Sequence, residues 1–136
     1  MSELVDGGRI AIVFNFGVND LRNINKYLKF MNNDVMDLVH GEKCDLYYMS
    51  VNPVNNTRLK QVPNYYNTRR QSQVEAFNKK MKAGLNSKFK YIDTYSYMIK
   101  RYSTAQMTIS DGLHYKDSIS KTIFDRCMIF LKKGKM

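Results

Sequence analysis

The sequence predicts an α/β protein whose parallel sheet is flanked by helices. Short apolar runs alternate with longer stretches of helical periodicity, and alternation of strand and helix is the sequence form of a parallel sheet. The run Ile10-Ala11-Ile12-Val13-Phe14 is continuously apolar, as in a strand buried on both faces. The 136 residues, 43% of them apolar, suffice for a single domain over 1–136 with one core. No internal repeat, low-complexity tract or domain boundary interrupts them.

Residues 10–14 form the first strand of this reading and residues 15–20 a turn. Asp20 is placed to cap a helix running to about His40. Leu21, Ile24, Leu28, Met31, Val35 and Leu38 recur at helical spacing, and Gly41 is a natural stop. Residues 44–51 read as a second strand, broken by Asn52-Pro53. Residues 53–69 read as a polar loop, long enough to suggest function. A helix over 71–85 gathers Val74, Phe77, Met81 and Leu85 on one face, and residues 89–92 form a third strand. A helical turn near 95–100 and a loop over 102–114 come next. A last helix over 116–131 carries Ile119, Ile123, Cys127, Ile129 and Phe130 on its apolar side. The first eight residues read as the end of a helix and the loop leading into residues 10–14.

The formal charge is +10. Basic residues gather at Arg69-Arg70, at Lys79, Lys80 and Lys82, and at Lys132, Lys133 and Lys135. Such a balance favours anionic partners such as nucleic acid, anionic lipid or acidic polysaccharide, but the plainer reading is solvated helix faces and a soluble tail. Cys44 and Cys127 lie far apart and inside apolar runs, so both read as buried thiols. His40 and Cys44 are too few ligands to make a metal site, and nothing in the sequence asks for a cofactor. No stretch approaches the roughly 20 apolar residues of a membrane span. No basic-then-apolar leader opens the chain, which leaves the compartment open.

Two short motifs carry possible chemistry. Phe16-Gly17-Val18-Asn19-Asp20 comes directly after the first strand. Gly17 permits a tight turn and close backbone approach, and Asn19 places a neutral amide donor where an oxyanion could develop. The segment also reads as an ordinary strand-to-helix turn. Asp111-Gly112-Leu113-His114-Tyr115 precedes the last helix. A carboxylate three residues before a histidine can hold Nδ1–H and leave Nε2 as a base near neutral pH. It can equally be an Asp-Gly turn beside a surface histidine.

Taken together, the two motifs resemble those of the SGNH/GDSL family of serine esterases. Its Gly-x-Asn-Asp block is matched by Gly17-Val18-Asn19-Asp20, and its Asp-x-x-His block by Asp111-Gly112-Leu113-His114. Val51-Asn52-Pro53, Phe77-Asn78 and Tyr91-Ile92-Asp93 fit between them, so the likeness runs from about Arg9 to Leu131. The resemblance implies a three-layer αβα, flavodoxin-like SGNH hydrolase fold. It implies Asn19 as oxyanion donor, Gly17 shaping its approach, His114 as general base and Asp111 as its orienting partner. In that family a serine hydroxyl attacks an ester carbonyl and water cleaves the acyl-enzyme.

The family's Gly-Asp-Ser block and its second, glycine block have no counterpart here. Ser2-Glu3-Leu4 echoes the first only superficially, and no Gly-x-Ser-x-Gly elbow occurs. Ser50, Ser72, Ser96, Ser103 and Ser110 read as strand, cap and loop residues. No nucleophile is therefore assigned, and the chain is expected to be N-terminally incomplete as a fold of this kind. The family's serine strand would lie beside residues 10–14. Its absence predicts an edge strand there and self-association through it. The expected activity is that of an esterase scaffold for O-acetyl or other short acyl esters of carbohydrate, inactive alone. A noncatalytic carbohydrate-binding relative is the alternative. Nucleic-acid binding, with Tyr65 and Tyr66 stacking beside Arg58, Arg69 and Arg70, explains the charge but leaves the two motifs as coincidence, and ranks last.

Overall fold

The computed structural model describes residues 2–6, 9–18, 20–61 and 70–133. In chain order they form β1 (Ser2–Asp6), β2 (Arg9–Phe14), α1 (Ile24–Lys29), a π-helical segment (Phe30–Val35) and α2 (Met36–Leu38). After these come β3 (Cys44–Met49), α3 (Asn56–Gln61), α4 (Gln71–Gly84), β4 (Phe89–Ile92), α5 (Thr94–Arg101), α6 (Thr104–Met107) and α7 (Asp117–Lys133). The described strands make one sheet in the order β1-β2-β3-β4. β2, β3 and β4 are parallel, with Ile10 opposite Cys44, Phe14 opposite Tyr48 and Leu46 opposite Phe89.

β1 corrects two expectations. It runs antiparallel along the free flank of β2, with Ser2 opposite Val13 and Asp6 opposite Arg9. The chain's start is thus a strand rather than a helix end, and the run from Ile10 to Phe14 is an interior strand rather than an edge. Self-association through an open β2 edge loses its physical basis, because β1 takes up the backbone donors and acceptors on that flank. The sheet is therefore mixed. Ser-Glu-Leu-Val-Asp is too short to show a period, and its state is decided by the strand it pairs with rather than by local propensity.

Helices cover both faces of the sheet, and the side chains of β2 and β3 alternate between them. Phe14, Leu46, Tyr48 and Phe89 pack with Ile24, Met31, Val35, Val74, Phe77 and Met81 from the helical stretch after β2 and from α4. Ala11, Val13, Tyr47 and Ile92 pack on the other side with Cys127 and Leu131 of α7. A third cluster of Met98, Met107, Ile119 and Ile123 joins α5, α6 and α7. Cys127 is buried, whereas Cys44 is only half-buried, and both are free thiols.

The helix after β2 begins later than expected. Asp20 N–H bonds the carbonyl of Gly17 at 3.0 Å, and Asn23 N–H bonds that of Asp20 at 3.1 Å. Two turns thus precede the helix, Asn23 occupies the cap position, and the carboxylate of Asp20 accepts from the Asn23 amide instead. Further along, Leu38 is 82% exposed although the heptad-like spacing placed it inward. The π-helical segment Phe30–Val35 closes i→i+5 bonds and so holds more residues per turn. It rotates the next helical turn by about one residue, and Val39 packs on the core in place of Leu38.

The two long loops also contain structure. Residues 53–69 include α3, whose Leu59 is buried. Residues 102–114 include α6, where Ser103 and Gln106 cap each other.

Candidate functional site

The loop after β2 is tied to the end of β3. The Asn15 amide donates to the carbonyls of Met49 and Ser50, both at 3.2 Å, and the Tyr48 hydroxyl donates to the carbonyl of Phe16 at 2.8 Å. Gly17 comes next with φ +123, and a Cβ there would lie 2.5 Å from the Phe77 ring. Only glycine fits that space and that backbone. Asn19, the expected oxyanion donor, lies outside the described residues. So do Tyr65, Tyr66 and Arg69, on which the nucleic-acid reading leaned.

The end of β3 is held from beneath. Val51 N–H donates to Asn78 Oδ1 at 2.9 Å, and Asn78 Nδ2 returns a bond to the Val51 carbonyl at 2.8 Å. Tyr95 N–H donates to Ser50 Oγ at 2.9 Å, the Ser50 and Thr94 hydroxyls lie 3.2 Å apart, and Thr94 donates to Asn52 Oδ1 at 2.7 Å. Ser50 is fully buried, so this strand-end hydroxyl is part of the scaffold. Asn52 is buried, and its amide nitrogen has no hydrogen-bond partner among the described residues.

The third wall is the loop before α7. Thr108 and Tyr115 form an isolated antiparallel bridge, and Ile109 N–H closes onto the His114 carbonyl at 2.9 Å. Within this loop Gly112 has φ +73, and a Cβ would lie 2.7 Å from the carbonyl oxygen of Asn55. Asp111 Oδ1 accepts from the backbone N–H groups of Leu113 and His114, each at 2.9 Å, while Oδ2 pairs with His114 Nδ1. Burial pushes the Asp111 carboxyl up, but the bonds from the His114 ring and from the two N–H groups outweigh it and hold the group below its ordinary range. The Tyr115 hydroxyl donates to the Pro53 carbonyl at 2.8 Å, and burial pushes that phenol's pKa up.

These three segments enclose a cleft of about 100 Å³ lined by Asn15, Phe16, Val18, Val51, Asn52, Leu113 and Tyr115. It lies at the carboxyl ends of β2 and β3, where open α/β sheets bind ligands. Its character is apolar and aromatic, with the amides of Asn15 and Asn52 as polar points. His114 stands between two wall residues, yet its own ring is not part of the wall and is 72% exposed. Among the described residues no hydroxyl bonds to that ring. β1 brings the backbone of Ser2 level with Val13, and so to this same end of the sheet.

The arrangement can take a proton at Nε2 of His114 while Asp111 holds Nδ1–H. Asn52 and Asn78 are polar groups to which the sequence alone gave no role. An asparagine directly after an apolar strand, with proline next, is the local signal for the first. Nothing local marks the second, whose partner is 27 residues away.

His40 and Cys44 line a separate cleft beside Glu42, and among the described residues no group of metal-ligating side chains assembles. No described helix is long and apolar enough to cross a membrane. No protein-family model, curated protein or solved structure matches this chain.

Proposed function

We propose that this chain is the scaffold of an SGNH/GDSL-type ester hydrolase for O-acetyl or other short acyl esters of carbohydrate. The observation that carries this reading is the Asp111–His114 pair in the loop whose Leu113 and Tyr115 wall the strand-end cleft. In this reading Asp111 fixes the ring, and Nε2 of His114 takes the proton of a serine hydroxyl as that hydroxyl attacks the acyl carbon. The proton then passes to the departing sugar oxygen, and water cleaves the acyl-enzyme with the same base. Asn19 is the proposed oxyanion donor and Gly17 the residue that lets its turn approach. Asn52 is a second amide available to a bound ester. The aromatic, small cleft suits a short acyl group better than a long chain. A noncatalytic carbohydrate-binding role is the second reading, favoured by the one observation that no described hydroxyl bonds to His114.

The test is hydrolysis of p-nitrophenyl acetate by four proteins. They are this chain, its His114→Ala variant, its Ser2→Ala variant, and a form extended upstream with a Gly-Asp-Ser strand and lacking residues 2–6, which otherwise occupy that strand's place beside β2. The first three are expected to share one slow rate, and the extended form to be faster by orders of magnitude, because a base without its nucleophile keeps only a small part of the acceleration. An extended, folded form no faster than the chain overturns the esterase reading. A fast chain that loses its rate in both variants places the nucleophile at Ser2.

A further inference from the structure

We infer that Arg58 is a positioning residue for the Asp111–His114 pair, an inference that rests on the reading of that pair as an acid–base dyad. The guanidinium reaches from α3 into the segment that leads up to Asp111. Its Nη1, with two N–H groups, donates to the carbonyls of Thr108 at 2.5 Å and Ala105 at 3.0 Å, and lies 3.3 Å from the Thr108 hydroxyl and 3.4 Å from the Ile109 carbonyl. These bonds hold the approach to the dyad from its N-terminal side.

The same turn of α3 holds the other side. Asn55 N–H donates to the Gly112 carbonyl at 2.9 Å, and Asn55 Oδ1 accepts from Arg58 N–H at 3.0 Å. A Cβ at Gly112 would lie only 2.8 Å from the Arg58 Cβ. Asp111 is therefore bracketed by residues 108 and 112, both fastened to the start of α3 and the residue before it. Among the described residues no carboxylate pairs with Arg58, so its charge is spent on carbonyl oxygens. Charge-assisted bonds of this kind are the stronger ones. Pro53, Asn55 and Arg58 come soon after Asn52 in the chain, so the stretch that walls the cleft is the one that grips the dyad loop.

The consequence is a fixed tautomer. If the loop is held, Asp111 Oδ2 stays on Nδ1 of His114 and the proton stays there, leaving Nε2 bare. If it is released, the exposed ring rotates and exchanges tautomers with solvent. A bond that merely adds stability would change the unfolding midpoint and leave the tautomer alone.

The experiment is two-bond ¹H–¹⁵N NMR of the imidazoles in the full chain at a pH where histidine is neutral. The signals are assigned by their loss in His114→Ala, since His40 is the other histidine. The Nδ1–H form of His114 is expected to dominate in the wild type, to become a minority in Arg58→Met, and to be intermediate in Arg58→Lys. An unchanged tautomer in a folded Arg58→Met protein overturns the inference. Should that variant fail to fold, an unchanged tautomer in Arg58→Lys does the same. A wild type already dominated by Nε2–H overturns the dyad and the inference together. A tautomer that responds to Arg58 in a protein whose extended form hydrolyses nothing leaves this inference standing and removes the esterase reading alone.

Discussion

Asp111 collects hydrogen bonds from the ring of His114 and from two backbone N–H groups. Each favours the charged form, and together they overcome the burial that opposes it, so the folded carboxyl titrates below its unfolded value. That depression sets the sign of the linkage. Stability from this group is complete above the unfolded value, about 3.9 for aspartate, and is lost as pH falls through the depressed folded one. Urea titrations of the wild type and Asp111→Asn from neutrality into acid should therefore show the wild type's advantage shrinking below about pH 4. A gap that stays constant into acid would mean that the bonds do not discriminate between the charged and neutral forms. This pair was legible in the sequence because its geometry is local, three residues inside one Asp-Gly turn. The Thr94–Asn52 bond was not, since its partners stand 42 residues apart and meet only once the sheet has formed.

At the scale of an element, the stretch from Ile24 to Leu38 shows how far periodicity carries and where it stops. Ile24, Met31 and Val35 are buried as their spacing implied, and the apolar face is real. Spacing could not reveal a change in residues per turn, because a π-helical segment is stabilised by the groups that pack around it. Here Asn32 bridges to the end of α4, donating to the Gly84 carbonyl at 2.8 Å and accepting from Asn86 N–H at 2.7 Å. The short helices α3 and α6 were missed for a related reason. Isolated segments of that length are not stable by propensity, so their existence is settled by docking. The register change makes a prediction that straight α-helical spacing reverses. Leu38→Ser should alter unfolding free energy by no more than about 0.5 kcal/mol, as exposed substitutions do. Val35→Ala, at a residue 3% exposed, should cost roughly 1.5–3 kcal/mol. Equal costs in denaturant titrations would place Leu38 back on the core face.

For the whole molecule, the alternation of strand and helix was enough to foresee a parallel β2-β3-β4 sheet with helices on both faces. The direction and partner of β1 were beyond it, and that one strand changes which edge of the sheet is open. β2 is apolar from Ile10 to Phe14, and its carboxyl half is interior on both faces. Left without a neighbour, its backbone would template pairing with a second chain. β1 removes that template and puts its own edge outward, in a segment that carries the carboxylates Glu3 and Asp6 within its five residues. Charge on an edge strand is a common defence against further pairing. The intact chain should thus sediment as a monomer across a wide dilution range. Deleting residues 2–6 should expose β2 and shift the protein to concentration-dependent dimers or larger species. Placing Lys at Ile12, inside the exposed strand, is no fair control, because it would also charge the core cluster against which that residue packs. Restoring the deleted strand as a free peptide is the fair control, since it should return the monomer by rebuilding the antiparallel pair. If the deletion variant stays monomeric at every concentration while remaining folded, β1 is not what keeps β2 from pairing. The flank that the strand occupies would then be free to accept another strand without cost to the molecule's association state.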